Sequence, residues 1–503
     1  MLRLRYVGLL FYAAELFSAI TGMAFILMVT RSLTVSEFGE WQIFSLVLSY
    51  TTFLYDAFPF WSARFKARGY KESIVTGLTI NVLLALIIDV ILILSLNIIS
   101  KSLLIRYQLL MIVALFTLVT HVHRALYQGV YIARTEKVAI SVIIFELTKV
   151  LFCFVLTFFT ELGIYGVVFS VLIADIFQII YLALYDWEDL KQKPSFKLVK
   201  TWMHVAWLSI YQYVGGLFLI LDIPIMIFYT GSKEIAAFYT VGASFSSTIL
   251  YTRFLASGLY PKLLASGSKK DVEETLKLSM LLAVPSTVAI LVLSPYLLYI
   301  LKPEYSLAYN VLRIMAVDSF LIVLMDIFVS TLLGIEKIDV ESAGFKKVIK
   351  SYFFLTSSTT YIKAGILLSS LCVLLFLDKN LGMIQISEYA KLFSFIASLT
   401  VLVILLLKVK KGISFKFPMK NLLNYLVASI IMGLIVAQFQ PFKIRDLVLT
   451  VVIGVGVYFS VLYVLDSWFR SLARRIYDEL KYKLKPASRE LTMNGSGEST
   501  VLS

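Results

Sequence analysis

Residues 74–100 read IVTGLTINVLLALIIDVILILSLNIIS, a run whose one charged residue is Asp89, bracketed by Lys71 and Glu72 before it and Lys101 after it. As a helix rising 1.5 Å per residue it exceeds the ~30 Å of hydrocarbon that about 20 residues cross. The rest of the chain has the same character: 503 residues, 59% of them apolar and only 16% charged, with a mean hydropathy of +0.87. Soluble proteins average about 45–50% apolar and about 25% charged. The sequence therefore reads as an all-α polytopic membrane protein.

Runs like the first recur, and about fourteen spans are expected, at 7–30, 38–59, 74–100, 107–129, 138–160, 163–185, 204–230, 236–258, 276–301, 309–333, 351–377, 382–407, 422–438 and 447–468. The eleventh is rich in Ser and Thr at its start, and the thirteenth is short. The first follows Arg3 and Arg5 without a small-residue cleavage motif, so it reads as a retained span and not a signal peptide. Most of the 46 Lys and Arg residues fall in alternate connections, on the side of the N-terminus. The other side carries Arg31, Lys101, Arg106, Lys233, Lys302, Lys379, Lys443 and Arg445. By the positive-inside rule both termini are expected in the cytoplasm of a multi-pass cell-membrane protein. The net charge of +14 then faces anionic lipid headgroups, which removes the main support for a nucleic-acid partner. Cys153 and Cys372 exclude a disulfide framework, and His121, His123 and His204 are too scattered for a metal site.

The chain contains a weak copy of itself. Glu37-Phe38-Gly39-Glu40-Trp41 after span 1 matches Ile235-Ala236-Ala237-Phe238-Tyr239 after span 7, each with a small residue two before an aromatic. Thr135-Glu136-Lys137 after span 4 matches Ile335-Glu336-Lys337 after span 10, and Leu162-Gly163-Ile164 matches Leu381-Gly382-Met383. Six spans thus repeat as six in the same orientation, which relates the copies by an axis along the membrane normal. The expected organisation is an N-lobe at 1–185, a cytoplasmic linker at 186–203, a C-lobe at 204–407, two further spans within 408–468, and a tail at 469–503. The tail begins as a basic amphipathic helix on the inner leaflet and is expected to be disordered past Pro486.

On these residues the chain resembles a known family. The 6+6+2 layout, Thr30-Arg31-Ser32-Leu33 running into Glu37-Phe38-Gly39, Pro303-Glu304-Tyr305 with Ala308 and Leu312, and Leu162-Gly163-Ile164-Tyr165-Gly166 look like the polysaccharide-transporter branch of the multidrug/oligosaccharidyl-lipid/polysaccharide superfamily. The resemblance covers roughly Tyr6 to Trp468. It implies a MATE-like fold that flips a lipid-linked oligosaccharide by rocking two lobes about a central cavity. Lipid II flippases of that superfamily carry arginines within spans 1 and 2, whereas Arg31 and Arg64 lie at span ends here, which argues against a peptidoglycan precursor.

A charge at mid-bilayer costs roughly 2.5–3.5 kcal/mol on insertion scales and needs a partner, a wet cavity or a route to the interface. Arg124 and Arg253 lie near enough to the cytoplasmic headgroups to snorkel; the functional alternative is that they hold a substrate phosphate, which suits a planar guanidinium. Glu15, Glu146, Lys149 and Asp175 are deep. Glu146 and Lys149 are three apart and can neutralise one another, or Lys149 can serve the substrate. Glu15, Glu146, Asp175 and Asp89 outnumber the one lysine, an acidic excess suited to Na⁺ or H⁺ coupling. In the C-lobe, Lys391 is expected to pair with Glu388. That leaves Lys363 either as a free cation facing a phosphate or in a bridge to Asp318. His121 and His123 point to different faces and read as core or interfacial. Trp41, Trp61, Trp187, Trp202 and Trp468 read as an interfacial belt, and Pro224, Pro285 and Pro295 as points of bending.

Three functions compete. The first is a flippase for a polyprenyl-(pyro)phosphate-linked oligosaccharide, a monomer serving glycosyltransferases of the same pathway, with no resident cofactor. The second is a cation-coupled multidrug or metabolite exporter of the same fold. The third, a membrane glycosyltransferase, needs a substantial outside loop for catalytic carboxylates; every predicted one is below about ten residues, so a transporter and not an enzyme is expected.

Overall fold

A computed structural model describes residues 4–160, 162–256, 259–260, 263, 268–336 and 345–484. In chain order the helices are α1 Leu4–Ser32, α2 Val35–Thr51, α3 Pro59–Ala67, α4 Ser73–Leu103, α5 Tyr107–Ala133, α6 Thr135–Phe158, α7 Ile164–Leu190, α8 Phe196–Leu219, α9 Asp222–Thr230, α10 Glu234–Thr240 and α11 Ala243–Leu250. After a 3₁₀ turn at Tyr251–Ala256 come α12 Lys269–Leu301, a second 3₁₀ turn at Pro303–Ala308, α13 Tyr309–Ile335, the one-turn α14 Phe345–Val348, α15 Tyr352–Leu377, α16 Met383–Gly412, α17 Met419–Val436, α18 Ile444–Leu465 and α19 Ser467–Leu484. Among the described residues no strand occurs.

Among the described residues, eleven helices are long and apolar enough to cross a membrane. The other three expected spans are helical as well. The apolar part of span 1 is described over Phe17–Ser32, while spans 2 and 8 are broken, at 52–58 and at 241–242. Span 7 is broken too, between α8 and α9. Pro59 and Pro224 stand in the first turns of α3 and α9, where a proline suits a helix that restarts. Pro285 and Pro295, by contrast, sit inside the continuous α12. The Ser/Thr-rich start of span 11 forms an unbroken helix because its hydroxyls donate to their own backbone: Thr356 to Tyr352 O, Ser357 to Phe353 O and Ser358 to Phe354 O, at 2.8–3.0 Å. Lipid-facing surface is evident on α4, where Ile91, Leu94 and Ile98 are 61–81% exposed, as expected where hydrocarbon is the solvent.

α1 to α7 pack chiefly on one another, and α12 to α18 do the same. α7 extends to Leu190 and α8 begins at Phe196, so most of the expected linker at 186–203 is helix that projects past the apolar runs. Trp61 and Trp202 depart from the interfacial belt. They are 5% and 0% exposed, buried together where α3 meets the start of α8, because α8 leans on α3 and α4 across the junction of the halves. The expected tail begins within α19, Ser467–Leu484; residues past Leu484 lie outside the described set.

Candidate substrate cavity and membrane-buried charges

The two copies of the sequence repeat meet face to face. α2, which carries Phe38-Gly39-Glu40, packs on α10, which carries Ala236-Ala237-Phe238. A Cβ added to Gly39 would lie 2.3 Å from Lys233 O, so only glycine permits the approach. Glu40 is fully buried at this seam. Its carboxylate accepts from Arg106 N at 2.7 Å, from Arg106 Nε at 3.0 Å and Nη2 at 2.9 Å, and from Lys233 Nζ at 3.1 Å. Arg31 Nη2 donates to Ile300 O at 2.9 Å, and Lys302 Nζ returns a bond to Leu33 O at 2.9 Å. Tyr305 lies between Phe38 and Phe238, with ring centroids at 5.6 and 6.2 Å. The Lys-poor end of the bundle is thereby closed between the halves.

Deeper in the bundle, where spans 2 and 7 break, lies a cavity of about 580 Å³. Ser49, Thr52, Phe53 and Tyr55 from α2 and its break, and Thr120 from α5, form one wall. Gln212, Tyr213, Gly216, Leu217 and Ile220 from α8 and its break, with Thr360 from α15, form the other. No residue of this lining is charged. Arg124 stands behind the first wall, one turn beyond Thr120, with its guanidinium 5.4 Å from the Tyr55 ring and 5.1 Å from the Tyr127 ring. Its Nε and Nη2 donate to Asp56 Oδ1 and Oδ2, both at 2.9 Å, and Gln128 Nε2 supports Asp56 Oδ1 at 3.0 Å. Two of the five guanidinium N–H groups are used this way and three remain.

The other basic candidates are not at the cavity wall. Arg253 lies on the 3₁₀ turn after α11, 49% exposed, with Nη1 3.7 Å from Asp326 Oδ2. Lys149 Nζ binds Glu146 Oε2 at 2.8 Å and sits over the Phe25 and Phe145 rings. Lys363 as a free cation is corrected: its Nζ is 3.8 Å from Asp318 Oδ2, the bridge left open by the sequence. The Lys391–Glu388 pair is also corrected. Among the described residues no such pair forms, and Lys391 Nζ instead lies 3.4 Å from the centroid of the Tyr239 ring, within electrostatic reach of Asp222 and Asp318. Glu388 is one turn away along α16 but the packing partner is α10, and that tertiary contact prevails.

Of the acidic candidates, Glu146 is 5% exposed and accepts from Ser18 Oγ at 2.9 Å and Thr21 Oγ1 at 2.6 Å besides Lys149. Asp175 lies within electrostatic reach of Lys149. The Glu15 side chain lies outside the described residues. Asp89 stands apart from this set, buried between α4 and α5 beside Thr117. His121 is fully buried, as its core reading expected.

Sequence reasoning missed Glu40, Asp56 and Asp222 as functional groups. Asp222 is buried and hydrogen-bonded by the Tyr239 hydroxyl and by Ile223 N. A signal was present: Asp56 and Asp222 precede Pro59 and Pro224 by two or three residues, and a proline inside an apolar run marks a break that exposes backbone and short polar side chains to a cavity.

Two helical bundles in contact through α2 and α10, closed at one end and hollow at mid-depth, form a fold shared with solved structures of a flippase and of multidrug transporters. Among solved structures, the chain is similar to the lipid II flippase MurJ in an inward closed conformation, with a TM-score of 0.65 at 18% identity, covering 92% of this chain and 100% of that one. It is similar also to an inward-facing multidrug resistance MATE family transporter, TM-score 0.57 at 13% identity over 78% and 95% of the two chains. The bent form of the Vibrio cholerae MATE transporter VcmN matches with a TM-score of 0.51 at 11% identity over 81% and 98%. No protein-family model and no curated protein matches the sequence. These neighbours share the fold; at such identities substrate does not carry over.

Proposed function

We propose that the chain is a flippase that moves a polyprenyl-(pyro)phosphate-linked oligosaccharide across the cell membrane by alternating access of its two halves, in assembly of a surface glycan. The observation that carries this reading is the wall of the mid-depth cavity. Hydroxyls of Ser49, Thr52, Thr120 and Thr360, the amide of Gln212 and the rings of Phe53, Tyr55 and Tyr213 offer neutral hydrogen bonds and flat apolar faces, which is what the alternating hydroxyl and C–H surface of a sugar requires. Arg124, preset by Asp56, is placed to hold the phosphate next to that sugar. The lipid tail remains in the bilayer.

A cation-coupled drug exporter of the same fold is the second reading, and the buried acids of the first half favour it. The cavity lining itself has no carboxylate with which to attract a cationic drug. The distribution of lysine and arginine supports cytoplasmic termini, and the reading is of a monomer working beside glycosyltransferases. The test is flipping of a fluorescent polyprenyl-pyrophosphate oligosaccharide by the purified protein in proteoliposomes. Movement of that probe, reduced by Arg124→Ala and by Gln212→Ala, is expected. Export of cationic amphiphiles with no movement of the glycolipid would overturn the reading in favour of the second.

A further inference from the structure

The middle of the first half holds a buried polar track that the cavity does not use. Asn81, Ala85 and Asp89 are four apart and share one face of α4; Thr117 and His121 do the same on α5, and Thr51 closes the group from α2. Asp89 is 9% exposed, Thr51 6%, and the other four residues are fully buried. Asp89 and His121 lie near the midpoints of helices running Ser73–Leu103 and Tyr107–Ala133, as far from water as these helices allow.

The track is short of hydrogens. Asn81 Nδ2 spends its two N–H groups on Tyr55 O at 2.8 Å and His121 O at 3.0 Å, which also fixes the orientation of its amide. His121 Nδ1 is 2.8 Å from Thr117 O, a carbonyl that can only accept, so the ring hydrogen is on Nδ1 and Nε2 is a bare acceptor. The one hydroxyl hydrogen of Thr117 has three acceptors in reach, Val113 O, Thr51 Oγ1 and the Asp89 carboxylate. Every donor is committed. Asp89 Oδ1, Asn81 Oδ1 and His121 Nε2 are left buried with no partner. Three orphaned acceptors in one apolar interior call for an added donor.

Other titratable groups at this depth do not supply it. From the α2–α3 connection Asp56 is bound to Arg124; on α6 Glu146 is bound to Lys149, which also attends Asp175 on α7. On α9, Asp222 is held by Tyr239. Tyr50 of α2 donates to Leu217 O, and Tyr213 of α8 lines the cavity. On α5 itself, His123 rests on the Tyr127 ring. At the ends of the neighbouring helices, Glu40 holds Arg106 and Lys233, and Lys66 of α3 holds Asp186 of α7.

We propose that Asp89 and His121 form a proton-binding site. One proton from the bulk attaches to Asp89 Oδ1, and the carboxylate becomes a neutral acid whose O–H donates within the track, where His121 Nε2 and Asn81 Oδ1 are the other unpartnered acceptors. A proton fits better than Na⁺, because a ring nitrogen is a poor ligand for a hard cation that prefers a full shell of oxygens. As a route for coupling, the inference rests on the flippase reading, since α4 and α5 carry Asp89 and Thr120, one facing the track and the other the cavity.

The test separates the two ideas. Infrared titration of the purified protein, which needs no substrate, should show the high-frequency carbonyl band of a buried protonated carboxyl that appears as pH falls. Asp89→Asn should abolish the band, Asp89→Glu should move it, and His121→Gln should shift the pH at which it appears; melting curves establish that each variant is folded. In proteoliposomes, the glycolipid probe should drive acidification reported by an internal pH dye, falling in Asp89→Asn to the level of empty vesicles. A band that persists in Asp89→Asn, or probe-driven Na⁺ movement without proton movement, overturns the proton site. A band assigned to Asp89 with no glycolipid movement in the wild type overturns the flippase reading alone.

Discussion

The first half of the molecule neutralises its mid-membrane lysine within one turn of one helix, whereas the second half spreads that task over five. In the first, Lys149 and Glu146 stand three apart on α6 at 2.8 Å, and α1 adds the hydroxyls of Ser18 and Thr21. In the second, Asp222 from α9, Tyr239 from α10, Asp318 from α13, Lys363 from α15, and Lys391 with Ser394 from α16 share one cluster. A local pair keeps its neutrality however its helix moves. A distributed cluster keeps it only while five helices hold their places, so it ties the second half together as a rigid body.

The largest expected effect follows from removing an acid from the distributed cluster. Asp318→Ala leaves Lys363 and Lys391 short of countercharge in a dry interior, a loss of about 3–5 kcal/mol, read as a lowered melting temperature in detergent; Asp318→Ala with Lys363→Met should regain most of it. Lys391→Met, which keeps the stem and removes the charge from the Tyr239 ring, should cost about 2 kcal/mol. Glu146→Gln should cost about 1 kcal/mol, because the amide oxygen still accepts from Thr21, the amide N–H donates to Ser18 Oγ where the carboxylate accepted from it, and Asp175 stays within electrostatic reach of Lys149. Smallest is Arg253→Ala. That side chain is half exposed and 3.7 Å from its partner, so a change within about 0.5 kcal/mol is expected. If the Asp318 and Glu146 variants melted alike, the distinction between a local and a distributed cluster would be lost.

The same contrast explains what could be read in the sequence. The i, i+3 pair on α6 was legible because helical spacing alone places its members together. Lys391 was assigned to Glu388 by that same rule, and here it failed, since the ring of Tyr239 arrives from a helix some 150 residues earlier in the chain. The spans themselves were legible from apolar length, and the break in span 2 was missed because its apolar character continues through Leu54 and Phe58 while the helix does not. The repeat was read from three pairs of short motifs, and the seam built by the contact of the first pair could not be. Gly39 signals it only once Lys233 O is known to stand against it. The cavity lining was least legible of all, since Ser, Thr, Gln and Tyr in an apolar run carry no charge to draw attention.

Asp466 is 1% exposed, caps α19 through Phe469 N, and receives the side-chain amides of Asn421 and Asn424 from α17, each at 2.9 Å. The cationic α19 is therefore bolted to the second half, with Phe469 stacked on Phe459 of α18. Any movement of that half would carry α19 with it. On the alternating access proposed above, attraction of Arg470, Arg474 and Arg475 to anionic lipid would then bear on the ease of that movement.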